Sequence, residues 1–183
     1  IHPFPEPLSG MFVSPLGLMV QQNLSDLLIL ENDKFISHLK VETLKSEITG
    51  SMIWTTDTLL VSSLKNGIFY LTENHAASWI TPYDKLLKGK RIYSSTSLHN
   101  GYLALGTSLD GLIVMDRQKR VFRHLNKNRG LQNNNILNTF SDRAGNVWLG
   151  LDNGIDCIVM DSPFSSVYPD GEMQATGYAA SVF

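Results

Sequence analysis

The sequence predicts an all-β chain built from β-propeller blades, about four of them, each a four-stranded antiparallel meander and together part of a larger propeller. Three observations carry this expectation. The chain repeats itself: Leu59 to Ile68 aligns with Leu103 to Leu112, which places Gly67 44 positions before Gly111, and Gly111 in turn lies 43 before Gly154. A fainter copy comes first, with Leu18 to Gln22 standing 41 positions before Leu59 to Ser63. Short β-forming runs are separated by Asn-Gly and Asp-Gly, residues that tolerate the positive φ angles of a tight reversal. No apolar series at i, i+3, i+4, i+7 persists for three turns, so helical repeats are excluded.

The elements follow in order. Unit one offers strands at 11–14, 18–22 and 35–39, and unit two at 52–55 and 59–63, followed by the Asn66-Gly67 turn. A short helix is expected over 83–88, with Thr81 as N-cap, Pro82 at the first position, Asp84 in the first turn and Gly89 just past the end. Unit three reads as strands at 92–97, 102–106, 112–116 and 120–125 with turns at Gly101 and Asp110-Gly111. Unit four reads as 136–141, 146–150, 155–160 and 164–168. The expected blades therefore span 10–49, 50–89, 90–133 and 134–175, all within one propeller segment of 1–183, with 177–183 the first strand of a further blade. An incomplete ring would leave blade faces open to the rest of a parent propeller or to a second copy.

Composition narrows the function. The 43% hydrophobic and 17% charged content excludes disorder. Fifteen Lys and Arg against 17 Asp and Glu leave a charge of −2, which argues against nucleic acid and anionic membrane as partners. Even the apolar run from Met11 to Met19 is broken by Ser14, Pro15 and Gly17, so no membrane helix is expected. The opening Ile1-His2-Pro3-Phe4-Pro5 reads as that of an excised or processed segment. Cys157 is the single cysteine and cannot form an internal disulfide.

Unit four carries the most specific motif. Gly130-Leu131-Gln132-Asn133-Asn134-Asn135-Ile136 precedes Asp142-Arg143-Ala144-Gly145-Asn146-Val147-Trp148-Leu149-Gly150 and then Asn153-Gly154-Ile155. This resembles the two-component regulator propeller repeat, whose pattern is roughly Gly-Leu, a polar trio, an apolar strand, Asp-x-x-Gly-Asn-x-Trp-Ile-Gly-Thr and Asn-Gly-Leu. Leu149 and Leu151 replace the usual Ile and Thr, and unit three has Ala104 in place of the tryptophan. The resemblance implies a periplasmic sensor region of Bacteroides-type bacteria, ahead of a membrane helix and a cytoplasmic output, with polysaccharide breakdown products as frequent signals. The stretches 162–165 and 171–178 are similar to variants with a triple-tyrosine β-domain and a helix-turn-helix output.

Residues that could carry chemistry are few. No two of the five histidines are spaced as ligands, and His38 and His124 share one repeat position, 86 residues apart, which indicates a structural role. Asp142-x-Ala144-Gly145-Asn146 lacks the alternating carboxylates of a calcium loop. Asp110, Asp152 and Asn153 stand where tight turns want such residues. No metal or other cofactor is expected. Trp148 is expected to pack between blades, Trp54 to lie on a first strand near the channel, and Trp79, Tyr83 and Tyr168 to be partly buried near strand ends.

Topology points to one rim. Strand direction alternates in a meander, so the turns between second and third strands emerge on the same side as the connections between blades. The turns at 22–25, 63–66, 108–110 and 152–153 therefore share a rim with the connections 40–46, 84–91 and 126–135. The last is rich in amides, which both donate and accept hydrogen bonds and suit a hydroxyl-bearing ligand such as an oligosaccharide. Candidate ligand-binding residues on this rim are Asn66, Arg91, Asp110, Asn133, Asn134 and Asn153. The leading expectation is a non-catalytic sensing segment. The alternatives are a propeller enzyme, a lyase or glycosidase needing carboxylates on the inner strands, and a scaffold for protein contacts alone.

Overall fold

Apolar residues at consecutive positions, rather than at every second one, put hydrophobic side chains on both faces of a strand, and such a strand must be covered from both sides. Leu59-Leu60-Val61 and Leu103-Ala104-Leu105 have this pattern, and every residue of their strands is buried. The computed structural model describes residues 7–99, 101–160 and 162, and within them the chain forms four antiparallel sheets.

The first sheet is β1 (Leu8–Ser14), β2 (Gly17–Gln22), β3 (Asp26–Glu31) and β4 (Lys34–Lys40), paired in that order. The second is β5 (Ile48–Ile53), β6 (Leu59–Ser63), β7 (Gly67–Leu71) and β8 (Ala76–Ser78). Helix α1 (Asp84–Gly89) leads to β9 (Ile92–Ser97), β10 (Leu103–Thr107), β11 (Leu112–Met115) and β12 (Val121–Leu125). The fourth sheet comprises β13 (Ile136–Ser141), β14 (Val147–Leu151) and β15 (Gly154–Ile158) among the described residues. These are propeller blades. The expected strands at 164–168 and 177–183, and Tyr168, lie outside the described residues.

The core is three slabs, one between each pair of successive blades. Phe12, Met19 and Leu27 of the first blade meet Leu59, Val61 and Phe69 of the second. Leu60 and Ile68 on the opposite face of the second blade meet Leu103, Leu105 and Ile113, and Ala104 and Leu112 meet Ile136, Val147 and Leu149. The first strands β1, β5, β9 and β13 lie next to one another in succession and form the inner wall. No helix among the described residues is long and apolar enough to cross a membrane.

Turn chemistry sets the register. Gly67 and Gly111 have φ of 82° and 78°, and a Cβ on Gly111 would stand 2.0 Å from the Leu125 carbonyl oxygen. The strand residue ahead of each turn locks it by the same bond: Ser63 Oγ donates to Gly67 O at 2.9 Å and Thr107 Oγ1 to Gly111 O at 2.7 Å. Asn32 and Asp33, both at positive φ, close the β3–β4 hairpin.

Four local expectations are corrected. The N-cap of α1 is Tyr83, not Thr81. Asp84 folds back so that its carboxylate accepts from the Thr81 N–H at 2.7 Å and hydroxyl at 3.0 Å, which holds Thr81 in the turn before the helix, and Gly89 is the last helical residue rather than the one after it. Trp54 stands just past the inner strand, because β5 ends at Ile53 and the Trp54 N–H donates to Thr58 O to close the turn. Its ring meets buried Trp79 edge-on with centroids 5.7 Å apart. Trp148 is 42% exposed rather than packed between blades, because no described element covers the outer face of the fourth blade. Its indole N–H donates to Asp142 Oδ2 at 2.8 Å.

Candidate functional site

The rim predicted from strand alternation forms as a series of joints. A turn between second and third strands meets an inter-blade connection at each step: Val41 N–H donates to Ser25 O, Leu64 N–H to Glu47 O, and Ser108 N–H to Arg91 O at 2.8, 2.9 and 3.0 Å. The second and third of these occupy equivalent repeat positions. At the first joint Gln21 is fully buried, donating to Ser46 O at 2.8 Å and accepting from Ile48 N–H at 2.8 Å.

The six candidate residues all stand on this rim, in two groups. Asn66 is committed to the second joint, where its Nδ2 donates to Leu44 O at 2.6 Å. Arg91 has an exposed side chain and a positive φ of 46° that turns its carbonyl toward Ser108. The other four cluster where the third and fourth blades meet. Asn133 Nδ2 donates to Asn153 Oδ1 at 3.0 Å, so the connection after β12 is tied to the β14–β15 turn. Asn135 Nδ2 repeats the tie to Asp152 at 2.6 Å. Asn134 accepts from the Lys127 N–H on its side chain, and its carbonyl accepts from the Gly111 N–H at 2.8 Å, which brings the Asp110 turn alongside.

Asp110 is the one largely covered carboxylate of the group, its side chain 19% exposed. Lys90 Nζ and His124 Nε2 each lie 3.3 Å from its Oδ2, near enough for ion pairing, although neither direction makes a hydrogen bond. His124 Nε2 donates to the Asp110 carbonyl at 2.8 Å, so that nitrogen carries a proton. Three acceptor atoms around this loop are buried without a hydrogen-bond partner: Asp110 Oδ2, Asn126 Oδ1 and Asn135 Oδ1. Sequence reasoning missed Lys90 and His124 beside Asp110, and it missed Asp156, which accepts from Gln132 Nε2 at 2.6 Å. The signal for His124 was its place on β12, directly across from Ile113 and next to the turn.

A second concavity lies on the opposite rim. A cleft of about 420 Å³ opens between the first two blades, floored by Met19, Leu27, Leu59 and Leu71 and edged by His38, Asp57, Glu73 and Asn74. Asp57 is held below the usual carboxylate range by hydrogen bonds from the Thr55 and Thr58 hydroxyls.

No family model and no curated protein matches the chain. Solved structures do. Two structures of the extracellular domain of BT4673 from B. thetaiotaomicron, described as a one component or a hybrid two component system, superpose with TM-scores of 0.62 and 0.61 at 22% and 23% identity. They cover 82% of this chain and 21% of theirs, so this chain spans about a fifth of their length. Streptogramin B lyase superposes at TM-score 0.62 with 13% identity, over 81% of this chain and 49% of its own. The computationally designed Ika4 protein superposes at 0.59 with 10% identity, over 86% of this chain and 93% of its own. At these identities the likeness shows the shared propeller-type fold.

Proposed function

We propose that this chain is a non-catalytic sensing segment of a bacterial signalling regulator, placed in the periplasm, and that it takes a hydroxyl-bearing ligand, such as an oligosaccharide, at the rim between the third and fourth blades. The observation that carries the reading is the amide bridge. The ties Asn133–Asn153 and Asn135–Asp152 cross from one blade to the next and are solvent-exposed, so each contributes little net stability and is easily exchanged. Ligand hydroxyls that replaced them, and that donated to the Asn126 and Asn135 oxygens and to Asp110 Oδ2, which has Lys90 nearby but no hydrogen-bond donor, would bind one spacing of the two blades better than another. That difference is what a sensor needs. Asn66 and Arg91 extend the same rim toward the second blade.

Further features support the reading. The inner strands are Leu-Ser-Gly-Met-Phe-Val-Ser, Ile-Thr-Gly-Ser-Met-Ile, Ile-Tyr-Ser-Ser-Thr-Ser and Ile-Leu-Asn-Thr-Phe-Ser, and none carries a carboxylate of the kind a glycosidase would use. Similarity to the BT4673 extracellular domain supports a receptor role outside the cytoplasm.

The test is a titration of the chain with neutral oligosaccharides, followed by side-chain amide NMR and by calorimetry, on the parent and on Asn133→Ala with Asn135→Ala. Saturable binding lost in the double variant is expected. A second reading is favoured by the cleft volume, which falls within the range of small-ligand pockets. Binding that survives the double variant and is abolished by His38→Ala would move the site there, and release of a cleaved product would sink the non-catalytic reading.

A further inference from the structure

We propose that the cleft between the first two blades binds a small organic cation, an apolar body of the size of an indole that carries a protonated amine. The cleft lies at an internal joint, between two blades that both belong to this chain, so it does not depend on what covers the first or the last blade. It is a different rim and a different class of ligand from the amide bridge between the third and fourth blades, and the inference does not rest on that reading.

The repeat shows what the first joint lacks. The cleft is floored by Met19, Leu27, Leu59 and Leu71, and the same repeat positions, 41 or 44 residues on, hold Leu60, Ile68, Leu103 and Met115 at the second joint. There the chain covers the floor itself: Trp79 is 6% exposed, and the Trp54 ring packs edge-on against it. Trp79 stands opposite Ile68 on the outer strand of its blade, and Leu39 stands opposite Leu27 in the same way. A leucine where the second joint has an indole leaves the outer part of the first joint unfilled, as a cleft of about 420 Å³ against an equivalent floor. Interiors are otherwise close-packed, and a volume of this size suits a small ligand.

Charge at the mouth is inverted between the two joints, and this sets the sign of the ligand. At the second joint Arg117 is the second residue after the third strand. Its guanidinium carbon lies 5.8 Å from the Trp54 ring centre, and it packs so closely on Gly101 that a Cβ there would collide with it. Lys119 Nζ lies 4.9 Å from the Trp79 ring centre. Aromatic body and cation are thus both supplied by the chain. At the first joint Glu73 takes the repeat position of Arg117 and Asp57 that of Gly101, and both edge the cleft. No lysine or arginine lines it, and neither carboxylate has an ion-pair partner among the described residues. The Thr55 and Thr58 hydroxyls donate to Asp57 Oδ1 at 2.6 and 3.2 Å and fix that carboxylate at the mouth. An amine on an apolar body supplies both missing parts: the body lies over the leucines as Trp79 does one joint later, and the ammonium meets Glu73 and Asp57.

The experiment titrates the chain with tryptamine, neutral indole and indole-3-propionate, followed by calorimetry and by methyl NMR of Met19 and the floor leucines. Saturable tryptamine binding with shifts at those methyls is expected, indole binding more weakly and indole-3-propionate most weakly. Asp57→Asn and Glu73→Gln alter exposed side chains, and each should weaken tryptamine by about two- to fivefold, the effect of an exposed ion pair, while leaving indole unchanged. Leu39→Trp should fill the cleft and abolish binding of tryptamine and indole alike, with circular dichroism showing that each variant keeps its fold. Asn133→Ala with Asn135→Ala should bind tryptamine as the parent does, which separates this site from the amide bridge. The proposal is overturned by absence of saturable tryptamine binding, by indole-3-propionate bound as tightly as tryptamine, by tryptamine affinity unchanged when Asp57→Asn and Glu73→Gln are combined, or by undiminished binding to a folded Leu39→Trp.

Discussion

Gly106 and Gly150 occupy one repeat position, 44 residues apart, yet alanine at the two sites should act in opposite directions. Neither glycine has a positive φ, so alanine strains the backbone at neither. At Gly106 the added methyl would lie 2.6 Å from both Ile136 Cγ2 and Ser94 Oγ and 3.0 Å from Thr139 Cγ2. Ile136 is fully buried and cannot withdraw without moving the fourth blade. Overpacking of this kind costs about 1–3 kcal/mol, offset by about 0.4–1 kcal/mol from the smaller entropy of the unfolded chain. Gly106→Ala should therefore lose about 1–2 kcal/mol. At Gly150 the methyl makes an ordinary 3.7 Å contact with Asn138, so only the entropy remains and Gly150→Ala should gain about 0.4–1 kcal/mol. Urea and thermal unfolding measure both. At roughly 2–4 °C per kcal/mol, the two variants should melt several degrees apart. Gly106→Ala as stable as its parent, or Gly150→Ala falling as far as Gly106→Ala, would refute the packing argument.

Two further outcomes test the scaffold. Gln21→Leu removes the buried amide that satisfies the Ser46 carbonyl and the Ile48 N–H, and two orphaned groups should cost about 2–4 kcal/mol, read as a lower urea midpoint. Asp142 is held below the usual carboxylate range by the Trp148 indole N–H and then by the Asn146 side-chain amide. Because its folded pKa is depressed, its contribution is present above the unfolded value near pH 4 and is lost as pH falls through the folded one. Trp148 fluorescence should report that loss on acidification, and Asp142→Asn should abolish this acid limb; an unchanged acid profile in the variant would contradict the assignment.

The strands of unit three and the first three of unit four were legible nearly to the residue, because Asn-Gly and Asp-Gly punctuate them and the φ angles those turns need are local properties. The expected 92–97 and 136–141 are β9 and β13 as observed. Unit two was harder. Its inner strand begins at Ile48, with Gly50 inside it, since a glycine that faces Ser95 of the next blade at close range looks in sequence like a break. The start of α1 was misplaced for a similar reason: Thr81 has the chemistry of a cap, but Asp84 claims it. On the rim, the six candidates could be placed by strand direction alone. Which of their polar groups are spent on one another could not be, because Asn133 and Asn153, or Gln132 and Asp156, meet only after two blades have packed.

By itself the sequence determined the period, the strand and turn positions, and which loops share a rim, since these follow from alternation and turn geometry within one blade. Tertiary structure alone decided which faces are covered. Met19, Leu60, Ala104 and Trp148 are equivalent within their own sheets, and their burial depends on whether another blade stands against them. A strand residue's exposure is a property of its neighbour as much as of itself, and the repeat that places it says nothing of where the neighbours stop.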